Sequence, residues 1–127
     1  MANIVPFAFK GELMSGTHNF SAGGNTFFLA LYTANPFTTA STVYVTTSEV
    51  SGAGGSNYTA GGKQLQNQVV DSSTATTTID FDNLTWGAAT TGAATFGAAF
   101  AAIYNTTNAN KIVVALDFGG TKTATNG

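Results

Sequence analysis

The spacing of apolar residues along the chain predicts a β protein. Segment 26–33 is apolar on both alternate positions, which is typical of a strand covered on both faces. A short β-branched run at 42–46 and a moderate alternation at 63–71 predict two further strands. Segment 112–118 has the strongest strand pattern in the chain, and residues 105–111 are expected to join it in a hairpin to the apolar run before it.

One segment alternates so clearly that it also predicts which side chains face solvent. In 76–82, Ile79 and Phe81 share one face of the strand, whereas Asp80 and Asp82 share the other. We therefore expect the apolar pair to be buried and the two carboxylates to be exposed.

The apolar run at 95–105 fits two kinds of structure. Its aromatic residues Phe96, Phe100 and Tyr104 recur every four positions, as they would on a helix, but the run is also apolar on both parities. It follows a Gly/Thr loop and ends in polar residues without helical caps, which favours a strand.

The beginning of the chain is the one place where the sequence indicates a helix. Pro6 stands near a possible helix start and Gly16 just beyond a possible end, with apolar residues at helical spacing between them. The interior Gly11 weakens this helix, so an irregular, partly extended arm over 1–20 is the alternative.

Together these elements predict an all-β fold. A length of 127 residues suits one domain with one sizeable core, so we expect a single domain spanning 1–127. Six to eight short antiparallel strands, with helix confined to the start, indicate a single β-sandwich, either immunoglobulin-like or jelly-roll-like.

Composition and charge change the picture of the surface. The chain is 43% hydrophobic but only 8% charged, against about 25% charged residues in ordinary soluble domains. Its polar surface must therefore consist of uncharged Thr, Ser, Asn and Gly, which lack the repulsion that keeps copies of a protein apart. We expect a homo-oligomer.

The same composition excludes several partners. The four cations are all lysines, so bidentate arginine contacts to phosphate are impossible and nucleic acid is not an expected partner. No apolar run approaches roughly 20 residues, and the first residues lack a basic region, so neither a membrane partner nor a signal peptide is indicated. The absence of cysteine excludes disulfides and thiolate metal sites.

Candidate catalytic chemistry is scarce. His18 is the only histidine, which rules out a multi-histidine metal site and makes a histidine-based triad an unattractive reading. Asp80 and Asp82 could share a calcium ion with loop oxygens, but the reading as two solvated carboxylates is favoured. Glycosidase acids need two different environments about 5 to 9.5 Å apart across a cleft, which neighbouring wet positions do not supply. We therefore predict no enzyme activity, no catalytic or metal-binding residues and no cofactor.

Aromatic residues offer a second kind of candidate site, a platform on which sugars stack. Its members would be Trp86 and the four tyrosines, Tyr32, Tyr44, Tyr58 and Tyr104. In a small sandwich such residues belong more often to the core, and the core reading is favoured.

Read from end to end, the chain resembles a family of small virion structural proteins of tailed phages. The segments that carry the resemblance occur in the family's order and span nearly the whole chain: Phe9-Lys-Gly-Glu-Leu-Met14, Gly16-Thr-His-Asn-Phe20, Leu29-Ala-Leu-Tyr-Thr33, Glu49-Val-Ser51, Tyr58-Thr-Ala-Gly-Gly62, Ile103-Tyr-Asn105 and Val114-Ala-Leu-Asp-Phe-Gly119. Each segment is weak alone, and their order and spacing make the resemblance moderately specific.

Two departures from the family pattern matter. Ala99 and Phe100 stand where the family usually has Arg then Gly, so a role of that arginine is not transferred. The family also continues beyond 125–127 into one more apolar strand, from which we expect an open sheet edge that a neighbour's strand could complete.

The resemblance implies a non-enzymatic protein made in the cytoplasm of a bacterial host and located in the virion. The expected role is a head decoration or cement protein, with copies of itself and the major capsid protein or another virion protein as partners. A tail or neck component, such as a tube, fibre or collar subunit, is the first alternative. A carbohydrate- or receptor-binding module is the second.

Overall fold

A computed structural model describes residues 2–53, 55–87 and 92–127 of the chain. It contains one helix and six strands. In chain order these are α1 Phe7–Met14, β1 Phe27–Tyr32, β2 Lys63–Leu65, β3 Val69–Asp71, β4 Thr78–Asp80, β5 Phe96–Asn105 and β6 Lys111–Ala124. The prediction of a mostly β protein with a short helix at its start is confirmed.

Four strands form the main sheet, in the order β2-β1-β5-β6, and every neighbouring pair is antiparallel. The two long strands, β5 and β6, are joined by the predicted hairpin, and β1 pairs with β5 from Phe27 opposite Asn105 to Tyr32 opposite Phe100. The run at 95–105 is therefore a strand, as its missing helical caps indicated. The expected strands at 26–33 and 112–118 are also confirmed.

Both faces of the main sheet are packed, which explains why its strands are apolar on both parities. One face carries Ala30, Tyr32, Ala102, Tyr104 and Ile112, and it is covered by Phe37 and Tyr44 from the segment after β1. The opposite face carries two further clusters, and these receive side chains from 58, 81–86 and the region around α1. The core thus lies on both sides of one sheet.

A single sandwich is not confirmed by the described residues. The second sheet contains only β3 and β4, which pair with each other and with no strand of the main sheet. Irregular segments cover the main sheet where a sandwich would place a second layer of strands.

The segment at 42–46 shows why that second layer is irregular. We predicted a strand there, but only one isolated bridge forms, between Val43 and Lys111. The backbone groups around it bind elsewhere: the Tyr44 N–H donates to the Asn110 carbonyl, and the Tyr32 hydroxyl donates to the Val45 carbonyl. A buried side chain therefore uses a carbonyl that a strand ladder would need.

The predicted strand at 63–71 is divided into β2 and β3. Asn67 adopts a left-handed conformation between them, with φ of 54°. The next residue, Gln68, turns its side chain inward, where the amide donates to the carbonyls of Ser21 and Asn25. The chain therefore leaves the main sheet after Leu65, and β3 pairs with β4 outside that sheet.

The helix α1 begins after Pro6 and ends before Gly16, as predicted. It buries none of its eight residues, and Met14 at its end is 91% exposed. The tail beyond Phe118, which looked polar and unstructured, continues β6 to Ala124 because it pairs with the start of β5, with Phe96 opposite Ala124.

Candidate functional site

The strands β3 and β4 form a two-stranded hairpin, residues 69–80, which we call the arm. All six of its strand residues are exposed, including the apolar Val69, Val70 and Ile79. The expectation that Ile79 is buried is therefore wrong, since it is 43% exposed. An isolated two-stranded hairpin is only marginally stable in water, so an arm of this kind gains stability when its apolar side chains contact another surface.

Beside the arm, an apolar groove of about 370 Å³ runs across one face of the main sheet. Leu29, Leu31 and Ile103 line it from the sheet, and Phe81 and Trp86 line it from the chain that follows the arm. A second groove of about 280 Å³ lies between β5, β6 and the same tryptophan. Leu31, Trp86 and Phe118 line both, so the two form one continuous surface, which we call the sheet groove.

The single tryptophan lies where the two parts of the sheet groove meet. Its ring packs on Tyr58 and Phe96, with centroids 6.0 and 6.3 Å away, and the Lys63 ammonium lies 5.5 Å from the ring centroid. Its indole Nε1 is buried and has no hydrogen-bond partner in the described part of the chain. A buried N–H without an acceptor is uncommon, so a bound molecule that supplies one would gain a hydrogen bond here.

The two carboxylates predicted to be solvated are exposed. Asp80 accepts a hydrogen bond from the Phe81 N–H, and Asp82 accepts one from the Asn67 side chain at 2.5 Å. Within residues 2–53, 55–87 and 92–127, no group of three or more His, Cys, Asp or Glu side chains could hold a metal ion.

His18 lies in the interior, where its side chain joins the N-terminal segment to the β5–β6 turn. Its Nδ1 lies 3.0 Å from the Asn105 side-chain nitrogen, which can only donate, so the histidine proton belongs on Nε2. That Nε2 faces a carboxylate oxygen of Glu12 at 3.5 Å, and the other oxygen of Glu12 binds the Lys111 ammonium at 2.8 Å. The histidine is thus part of a polar network that holds α1 against the sheet.

Asn105 is the centre of this network. It is fully buried, and its amide group also donates to Asn25 while its carbonyl oxygen accepts from the Thr107 and Asn108 N–H groups. All of its hydrogen-bonding capacity is used within the turn and the segment that packs on it. This arrangement is structural, since no atom of the side chain is left for a substrate.

A second polar cluster surrounds Glu49, which the sequence did not single out. One carboxylate oxygen accepts from the Tyr58 hydroxyl and the Gly61 N–H, both at 2.6 Å, and the other accepts from the Tyr44 hydroxyl at 2.5 Å. The Tyr104 hydroxyl completes the cluster by donating to the Gly61 carbonyl. Tyrosines considered as a sugar platform are therefore occupied in the interior.

Burial is the main reason why these tyrosines stay protonated. Loss of contact with water raises the pKa of Tyr32, Tyr44 and Tyr58 far above the usual value near 10, and the neighbouring Glu49 carboxylate raises it further. For Tyr104 the same two causes raise the pKa to about 12. The hydroxyls therefore act as hydrogen-bond donors at every physiological pH.

The signal for this cluster was present in the sequence, but not as a pattern. Glu49, Tyr58 and Tyr104 belong to three of the separated segments that carry the resemblance to phage proteins, and His18 and Asn105 belong to two. The structure brings these segments into two hydrogen-bonded clusters. No periodicity connects residues so far apart, which is why spacing could not identify them.

Comparisons with known proteins found no match: no family model, no curated protein and no solved structure is similar to this chain. Among the described residues, no helix has both the length and the apolar character needed to cross a bilayer. What the site offers is a surface for contact, made of the arm, the sheet groove and the exposed helix.

Proposed function

We propose that the chain is a non-enzymatic structural subunit of a tailed-phage virion, where it decorates or cements the head shell. The observation that carries the proposal is the arm, whose apolar residues Val69, Val70 and Ile79 are exposed on a hairpin with few contacts of its own. A hairpin of this kind suits a protein that works while bound to neighbours.

The total surface supports this proposal. The chain exposes 6940 Å², whereas a compact monomer of this mass exposes roughly 6300 Å². A specific protein interface buries roughly 800 Å² on each partner, so the excess is of the order of one contact surface. The projecting arm and the exposed α1 account for such an excess.

The mechanism would be passive. Uncharged and apolar surfaces of many copies would be buried against the shell and against each other, and symmetry would multiply modest contacts into strong binding. An arm that lies on a neighbour's sheet would also give, between subunits, the two-layer packing that the sequence predicts within one.

The alternatives differ in what they need from the structure. A tail or neck component would use the same arm and the same passive contacts, so it remains the nearest alternative. A carbohydrate-binding module would need a ring face open to solvent, and here Tyr32, Tyr58 and Tyr104 are buried while Trp86 packs on two aromatic rings. The proposal that the chain is not an enzyme is supported by carboxylates that point outward or bind tyrosines.

The experiment is density-gradient fractionation of a lysate that contains the particles, followed by immunodetection of this chain. We expect the chain to sediment with intact particles and to stay with them after a wash in moderate salt. If it is found only in the fraction of free proteins, the proposal is wrong.

A further inference from the structure

We propose that the sheet groove and the arm form a self-complementary interface, on which a second copy of this chain binds about a two-fold axis near Trp86. The inference rests on the proposed function, because it names one contact that such a subunit would make. Three features of the described residues support it.

The first feature is continuity between the arm and the sheet groove. Val70 and Ile79 are opposite each other in the arm and therefore lie on one of its faces. Ile79 and Phe81, which share a face by alternation, both line the sheet groove. The apolar face of the arm thus extends the floor of the groove, and one partner of similar length can cover both.

The second feature is the distribution of charge along this surface. Asp80 lines only the end of the sheet groove next to the arm, and Lys122 lines only the other end, between β5 and β6. Neither side chain forms an ion pair with any residue that the structure describes. A two-fold axis through the middle exchanges the two ends, so the carboxylate of each copy would face the ammonium of the other.

The third feature is what lies on the axis. Trp86 and Phe118 are shared by both parts of the sheet groove, so in a two-fold pair they would meet their own counterparts. Large aromatic residues at the centre of an interface, ringed by polar groups, are the usual composition of a contact that contributes most of the binding energy. A self-pairing surface needs this arrangement, whereas an unrelated partner does not.

The experiment is a charge exchange in the whole chain, measured by sedimentation velocity over a range of concentrations at low salt. We expect the unmodified chain to form a dimer. Asp80→Lys alone and Lys122→Asp alone should each weaken the dimer about tenfold, because each replaces two attractions by two repulsions. The double variant should recover binding to within about threefold of the unmodified chain.

Two controls make the result specific. Lys10→Asp changes an exposed charge on α1, away from the sheet groove, and should leave the dimer unchanged. The emission of Trp86, the only tryptophan, should shift with the same concentration dependence as the dimer. A chain that stays monomeric, or single variants that dimerise as well as the unmodified chain, would overturn the inference.

The outcome also separates this inference from the proposed function. A monomeric chain that still sediments with particles would leave the structural role intact and remove only the self-pairing. A chain that dimerises through the sheet groove but is absent from particles would do the reverse.

Discussion

Glu49 is a half-buried carboxylate in a chain with few charges. Three donors satisfy it, and one of them, the Tyr58 hydroxyl, also accepts the Leu31 N–H at 3.0 Å. That N–H lies on the part of β1 beyond the end of β2, where no strand is available to accept it. A tyrosine hydroxyl therefore replaces a missing strand and holds a buried backbone group in a hydrogen bond.

This double role makes Tyr58 the most sensitive of the four tyrosines. We expect Tyr58→Phe to lower the free energy of unfolding by about 2 kcal/mol, because it leaves the Leu31 N–H and a Glu49 oxygen without a partner. Tyr44→Phe removes only a donor from a half-exposed position, and about 1 kcal/mol is expected. Urea denaturation compares the two. Equal losses would contradict the special role of Tyr58.

The tyrosines also give the protein a defined response to alkaline pH. A raised pKa means that the unfolded chain ionises near pH 10 while the folded chain keeps its protons, so stability must fall as pH rises above 10. For Tyr104 the loss should be complete once pH passes about 12. Unfolding free energies measured from pH 8 to 12, with tyrosinate absorbance as a second signal, should decrease. A constant value up to pH 12 would show that the hydroxyls are not buried as described.

At the scale of elements, the turn into β2 depends on one glycine. Gly62 has a φ of 82°, and a Cβ there would lie 1.9 Å from the Leu29 carbonyl oxygen on the neighbouring strand. The close approach of two backbones and the left-handed conformation both require a residue without a side chain. The pairing of β1 with β2 is therefore possible only because this position is glycine.

We expect Gly62→Ala to cost at least about 3 kcal/mol of stability, since backbone strain and a clash with a strand add together. Gly119→Ala is the matched control, because its φ of 74° is equally left-handed but its Cβ would meet nothing within 4 Å. That variant should lose about 1 kcal/mol. Thermal or urea unfolding measures both, and a similar cost for the two would mean that β2 does not approach β1 so closely.

The elements that the sequence predicts correctly are those whose pattern is local. The strand β5 shows this, because its apolar run of both parities needs a covering on each side and finds it at the centre of the main sheet. The arm and the absent second layer show the limit. Val69, Val70 and Ile79 have the composition of buried strands, and nothing in their own spacing reveals that they project from the sheet. The tyrosine cluster is equally hidden, because Glu49, Tyr58 and Tyr104 meet only through the fold.

At the scale of the whole molecule, stability and contact surfaces are separated. The buried polar clusters and both faces of the main sheet fix the centre of the fold, whereas the exposed apolar residues belong to the arm, α1 and the sheet groove. A chain with 8% charged residues has little repulsion to keep such surfaces apart from those of its copies. Our account is therefore that this protein functions as one subunit of a larger assembly.

The most direct test is an electron cryomicroscopy reconstruction of the intact particles. The account predicts density for this chain in symmetry-related copies on the head shell, with the arm in contact with a neighbouring subunit. Particles that lack this density, or copies whose arm projects freely into solvent, would contradict it.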